Sequence, residues 1–216
     1  LNKFYGACNL GSLFLHNYVK EPFTKNANID YRLLKEAINA AVRFLDNIID
    51  INFYPLTEFE NYQSNLRTIG LGITGLADAL VMLNVKYGSK DSIKIIDNLM
   101  NFIAKEAYKS SIKLAKEKGA FPLLDSKKFI QSGYIQKHIK KDNEWNNIAD
   151  DILKYGIRNA RILSVAPTGT LSLTYGNNCS SGLEPIFSLE YDRKVRIGGQ
   201  EEKNEKTVKM RDYAYD

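Results

Sequence analysis

The chain has 216 residues, 44% hydrophobic and 25% charged, with a net charge of +5 and two cysteines. That length suits one large domain or two small ones, and the balance is that of a globular protein in water. No run of about 18 apolar residues occurs, which excludes a membrane-spanning helix. Two cysteines make neither a disulfide framework nor a metal cluster, and they suit a reducing cytoplasm. Lysines are scattered between acids, and the densest group, 137–141, lies in a polar stretch. Nucleic-acid proteins gather their cations on one face, so no direct nucleic-acid partner is expected. The chain opens on Leu1 with no signal segment and closes on a polar stretch without a helix stop, and it reads as an internal piece of a longer protein.

In chain order, Cys8 comes first, set among Gly6, Ala7 and Gly11 ahead of an apolar run. A buried core cysteine and a redox thiol both fit that setting. A helix is expected after Asp30, a good N-cap. Leu34, Ile38, Val42, Leu45 and Ile49 recur at helical spacing, and Pro55 bounds the segment. A second helix is expected over about 64–83, with Leu76, Ala77, Leu80 and Leu83 along one side. A third runs over about 91–118, closed by Gly119 and Pro122. Residues 125–154 are more polar and less regular, with helix near 145–155. Residues 161–166 read as a short buried strand, and 171–175 as the start of a helix or of another strand. Short strands between long helices point to an α/β architecture rich in helix.

Three motifs carry candidate chemistry. Gly70, Gly72 and Gly75 form a G-x-G-x-x-G pattern. A dinucleotide fingerprint needs a buried strand just upstream, and 61–65 is no strand, so close helix packing is the favoured role. An NAD- or nucleotide-binding α/β enzyme using these glycines remains the alternative. Ala166-Pro167-Thr168-Gly169-Thr170 is a tight turn at a strand end. Its backbone N–H groups and threonine hydroxyls suit a phosphate, and an ordinary turn fits the spacing equally well. Ser180-Ser181-Gly182-Leu183-Glu184-Pro185 is a second polar turn, in which Glu184 is a functional carboxylate or a solvated loop acid. His16 and His138 lie near no carboxylate pattern and support neither a triad nor a metal site, and Cys179 reads as structural.

Taken together, several stretches resemble the large chain of ribonucleotide reductases. They are Ala7-Cys8-Asn9-Leu10-Gly11-Ser12, Phe44-Leu45-Asp46-Asn47-Ile48-Ile49-Asp50 with Tyr54-Pro55-Leu56, and Ile69-Gly70-Leu71-Gly72-Ile73-Thr74-Gly75-Leu76-Ala77-Asp78. Gly156-Ile157-Arg158-Asn159-Ala160 and the two polar turns complete the series in family order. The A-P-T-G-T form of the turn favours the adenosylcobalamin-dependent class.

The resemblance implies a ten-stranded α/β barrel. This chain would be a single partial domain over 1–216, the C-terminal half of that barrel, with 200–216 irregular or truncated. It implies a ribonucleoside-diphosphate reductase that makes deoxyribonucleotides by thiyl-radical chemistry, although the motifs leave diphosphate and triphosphate substrates open. Cys8 matches one thiol of the redox pair, exchanging with a thioredoxin-like reductant. Pro167, Thr168, Gly169, Thr170 and Leu171 match the turn that binds the substrate phosphates. Adenosylcobalamin is the implied cofactor, the cytoplasm the implied location, and a homodimer of the full-length protein is compatible. The family's radical cysteine, the second thiol of the pair and the C-terminal cysteine tail match nothing in the 216 residues, so this piece alone is expected to be inactive.

Overall fold

The computed structural model describes residues 6–196 and 205–215. In chain order these form β1 (Asn9–Phe14), a 3-10 turn (Leu15–Tyr18), β2 (Val19–Lys20), β3 (Asn28–Ile29), α1 (Tyr31–Ile51), α2 (Thr57–Leu66), β4 (Ile69–Thr74) and α3 (Leu76–Met82). There follow α4 (Lys90–Lys118), α5 (Ser126–Ile130), α6 (Gly133–Ile139), α7 (Glu144–Tyr155), α8 (Gly169–Thr174), β5 (Glu190–Arg196) and β6 (Glu205–Arg211). Helix predominates and strands are few, as in part of an α/β barrel. The sequence suggested a single partial domain, whereas the described residues group into two compact units. The first holds 6–13, 31–72 and 94–165, and the second 14–30, 73–93, 166–196 and 205–215.

In the first unit the long periodic helices form where expected. α1 begins directly after Asp30 and buries Leu34, Ile38, Val42, Leu45 and Ile49 along one stripe. Each such side chain contributes about 1.5–3 kcal/mol through removal from water. α4 adds Leu99, Ile103, Ala107 and Leu114, and α7 adds Trp145, Ile148 and Ile152 to the buried set. The polar stretch forms three helices: α7 lies where helix was expected near 145–155, and α5 and α6 replace the irregular chain before it.

One acid sits within this core. Asp46 is fully buried on α1, and its carboxylate accepts from Arg67 Nε (2.9 Å), Arg158 Nε (3.3 Å) and Asn159 Nδ2 (2.9 Å). Asn159 Nδ2 also donates to the Arg67 carbonyl, and Ser111 Oγ donates to Asn159 Oδ1. Burial alone would push the Asp46 carboxyl up, but Arg67, Arg158 and Asn159 together hold it below the usual carboxylate range.

The helix expected over 64–83 is corrected. α2 ends at Leu66, residues 69–74 are strand β4, and only 76–82 are helix. The cause is visible in the residues. Ile69, Leu71 and Ile73 alternate with Gly70, Gly72 and Thr74, which is period two, and all six are buried. β4 pairs with β1. On its other flank Ile69 N donates to the Arg161 carbonyl (3.0 Å) and Leu71 N to that of Ile162 (2.8 Å). Leu71 bridges Leu163 in parallel, so the strand expected over 161–166 is reduced to this one bridge. At Gly72 a Cβ would stand 2.3 Å from the Ser164 carbonyl oxygen, so only glycine lets the two backbones meet. Gly70 and Gly72 of the G-x-G-x-x-G pattern therefore serve strand packing, not the favoured helix packing, and Gly75 caps α3. Gly70 and Gly72 lie inside a buried strand preceded by a helix, which removes the dinucleotide alternative.

In the second unit β2 and β3 pair antiparallel, Val19 opposite Ile29. Leu15, Ile29, Ile73, Leu76 and Leu80 supply its core. α8 resolves 171–174 as helix, with Tyr175 as its C-cap. β5 and β6 pair antiparallel from Glu190 opposite Arg211 to Arg196 opposite Glu205. Within 200–216, expected to be irregular or truncated, residues 205–211 are strand; residues 200–204 and 216 lie outside the described residues. The physical reason is cross-strand pairing, which a polar composition does not reveal.

Candidate functional site

The second unit carries a turn with the features of an anion site. Pro167 steers the residue before it away from helical backbone. Thr168 then adopts φ +57° and ψ +22°, the left-handed region. For a β-branched residue that conformation costs about 1–3 kcal/mol and persists only where surroundings impose it. They do so here: Thr168 is buried, its Oγ1 accepts from Gly182 N (2.8 Å), and it lies 2.9 Å from Thr74 Oγ1. α8 starts at the next residue, with Ser172 N donating to the Thr168 carbonyl (2.8 Å). The N–H groups of Gly169, Thr170 and Leu171 precede that first helical bond, so they have no intrahelical acceptor.

Beside the turn lies a cavity of about 450 Å³, lined by Gly169, Thr170, Ser180, Ser181, Glu184 and Arg193 among others. Two of the five turn residues singled out from sequence, Gly169 and Thr170, thus face the cavity. Pro167, Thr168 and Leu171 do not line it. The second polar turn is tied down by Ser180 N donating to Asp78 Oδ2 (2.7 Å), Ala77 N to Ser180 Oγ (3.0 Å), and a Ser172–Ser181 hydroxyl contact of 2.9 Å. Glu184 is exposed at the cavity wall.

Sequence reasoning missed a buried acidic pair. Asp78 on α3 and Asp212, just after β6, are both buried, and Ala214 N donates to both (3.2 and 3.1 Å). Burial, the Asp78 charge and a hydrogen bond between the two push the Asp212 carboxyl up to about 7. His16 also lies in this unit, with its ring 4.1 Å from that of Tyr213. Its Nδ1 has no hydrogen-bond partner among the described residues. Burial lowers the imidazole pKa against the opposing pull of Asp78. Gly75, at φ +70°, would bring a Cβ to 2.3 Å from that nitrogen. Three segments distant in sequence build this cluster, so no local motif announces it.

Cys8 belongs to the first unit. It is free and exposed, beside Gly70, where a Cβ would come 3.2 Å from the Cys8 sulfur. Partial desolvation raises the thiol pKa and the Arg161 charge opposes it, so the thiol is the resting form at neutral pH. Cys179, in the second unit, is free and buried, 3.9 Å from Thr74 Oγ1, and burial pushes it up to about 11. That is the setting of an inert thiol, in line with the structural role expected for it.

The family model for the ribonucleotide reductase barrel domain matches residues 2–214. The chain belongs to that family. Similar relatives include the vitamin B12-dependent ribonucleoside-diphosphate reductases of Thermoplasma acidophilum, 36% identical over 91% of this chain, and of Mycobacterium tuberculosis, 35% identical over 88%. The ribonucleoside-diphosphate reductase subunit alpha of Chlamydia pneumoniae is 34% identical over 83%. These matches take up 22%, 23% and 18% of the relatives' own lengths, so the chain spans under a quarter of each. In this piece of a reductase barrel domain, the F-L-D-N and I-R-N motifs meet at Asp46, Arg158 and Asn159 and form scaffold. The A-P-T-G-T and S-S-G-L-E-P motifs meet at the cavity. Among the described residues no group of three or more histidine, cysteine or acidic side chains could hold a metal ion, and no helix is long and apolar enough to cross a membrane.

Proposed function

We propose that this chain is the thiol-bearing and phosphate-binding part of a cobalamin-dependent ribonucleoside-diphosphate reductase. Family membership supports ribonucleotide reduction in general. The observation that carries the finer reading is the turn at 167–171, of which Gly169 and Thr170 line a cavity that Arg193 also lines. A helix-start turn and an arginine lining one space suit a diphosphate.

Cys8 is the proposed redox thiol. In the reaction a thiyl radical borrows the hydrogen of the ribose 3′ carbon and returns it at the end. The 2′ hydroxyl leaves as water. Two thiols supply the two electrons and the replacing hydrogen, and they join as a disulfide. A thioredoxin-like dithiol then restores them by exchange. The exposure of Cys8 supports access by such a donor, and its protonated resting state supports its role as hydrogen source.

Vitamin B12 in the names of the Thermoplasma and Mycobacterium relatives supports adenosylcobalamin as cofactor. The cavity at the turn, about 450 Å³ with a largely polar lining, is too small for a corrin ring. Two free cysteines support a reducing cytoplasm, and a homodimer of the full-length protein belongs to the same proposal.

The test is Cys8→Ser in the reductase that carries this segment. Turnover with dithiol donors is lost and nucleotide binding, read by equilibrium titration, is kept. Full multiple turnover in that variant rejects the redox assignment.

A further inference from the structure

We propose that Thr74 and Thr168 form a proton-ordered hydroxyl relay that positions the phosphate turn, so that Thr168 is a positioning residue and not a phosphate ligand. The inference rests on the reading of 167–171 as the substrate-phosphate turn and changes the role of one of its members.

The order of the protons follows from the bonds. A hydroxyl has one proton to give. Thr74 Oγ1 gives its proton to the Ser180 carbonyl (3.0 Å), which can only accept. Across the 2.9 Å contact between the two hydroxyls, Thr168 must therefore be the donor and Thr74 the acceptor. Gly182 N donates to Thr168 Oγ1 at 2.8 Å. The chain of donation runs from Gly182 N–H through Thr168 and Thr74 to the Ser180 carbonyl. Thr168 has no proton left for an anion, and its side chain is absent from the cavity wall.

The relay also explains the backbone. Left-handed threonine is unfavourable by itself, and the inward hydroxyl contacts compensate for it. That conformation sets the direction in which α8 begins, and hence where the N–H groups of Gly169 and Thr170 point. Both ends of the relay, Ser180 and Gly182, lie in the second polar turn, so one device fixes the two turns that border the cavity.

The experiment is a double-variant cycle in the reductase that carries this segment, reading kcat, nucleotide KM, competitive inhibition by inorganic pyrophosphate, and the unfolding midpoint. Thr74→Val and Thr168→Val each raise KM and weaken pyrophosphate inhibition about threefold to tenfold, the range of one lost hydrogen bond, with kcat nearly unchanged. The double variant is no worse than the poorer single one. Thr74→Ser and Thr168→Ser, which keep the hydroxyls, behave as wild type. A KM effect in Thr168→Val with none in Thr74→Val overturns the proposal, because it makes Thr168 a direct ligand. Unchanged KM in both valine variants also overturns it. If a valine variant does not fold, Thr168→Gly asks the same question on a residue that accepts the left-handed backbone. A raised KM there together with one in Thr74→Ala supports the relay, and a raised KM in Thr168→Gly alone, or a wild-type KM in both, overturns it. Gly169→Asp separates the two levels: it places a carboxylate at the turn, where a side chain meets open space. If it raises KM and the relay variants do not, the relay alone fails. If it leaves KM unchanged, the phosphate reading itself fails.

Discussion

Two buried polar clusters, one in each unit, contrast in how their hydrogen bonds end. Around Asp46 every named donor points inward: Arg67, Arg158 and Asn159 converge on one carboxylate, and Ser111 closes the outer side. Around Thr168 the side chains are equally committed, yet the backbone beyond them presents Gly169 and Thr170 to a cavity. Both clusters are built from stretches inside the same family match. Family resemblance alone does not separate scaffold from site. What separates them is whether donors remain for a guest after the protein's own acceptors have been served.

The largest effect that would break this contrast is expected at the closed cluster. Asp46→Asn leaves two guanidinium groups without their buried counter-charge, and stability should fall by about 3–5 kcal/mol. Denaturant titration reads this, and a shift no larger than that of a surface substitution would mean the cluster is not closed. A smaller effect comes from a pair of glycines. Gly72→Ala drives a methyl against the Ser164 carbonyl and should cost about 1–3 kcal/mol. Gly169→Ala meets open space and should stay within about 0.5 kcal/mol. Equal unfolding midpoints for the two would erase the distinction between packed backbone and presented backbone. The smallest effect concerns pH. Asp212 binds its proton more tightly in the folded chain than in the unfolded one, so between pH 3.8 and about 7 the native state holds more protons. Stability from this group is therefore present at the acid side and lost as pH rises through about 7. Thermal unfolding across that range should show the decline, and Asp212→Asn should flatten it.

The long amphipathic helices were legible because several apolar residues at one period outweigh local ambiguity, as in α1 with Leu34, Ile38, Val42, Leu45 and Ile49. β4 was misread because its alternation is between large aliphatics and glycine. Two of its glycines belong to a pattern better known from turns, and the helix of α3 follows at once. The signal for strand was there in Ile69, Leu71 and Ile73 at period two. The turn at 167–171 was legible as a backbone feature from Pro167 and Gly169. The role of Thr168 was not, since it depends on Thr74 and Gly182, which only folding brings within reach. The same holds for Asp78, Asp212 and His16: each looks ordinary in its own segment, and their meeting is a property of the tertiary structure.

Strand β4 has a consequence for how such a protein can change. A strand covered on one side offers every second position to variation, whereas here all six positions are enclosed. No side of it is open to a new group, and even a methyl at residue 72 is refused. Novelty must enter where the strand stops, at Thr74 and the segments that converge beyond it, and that is where the hydroxyl relay, the acid pair and the cavity wall are found.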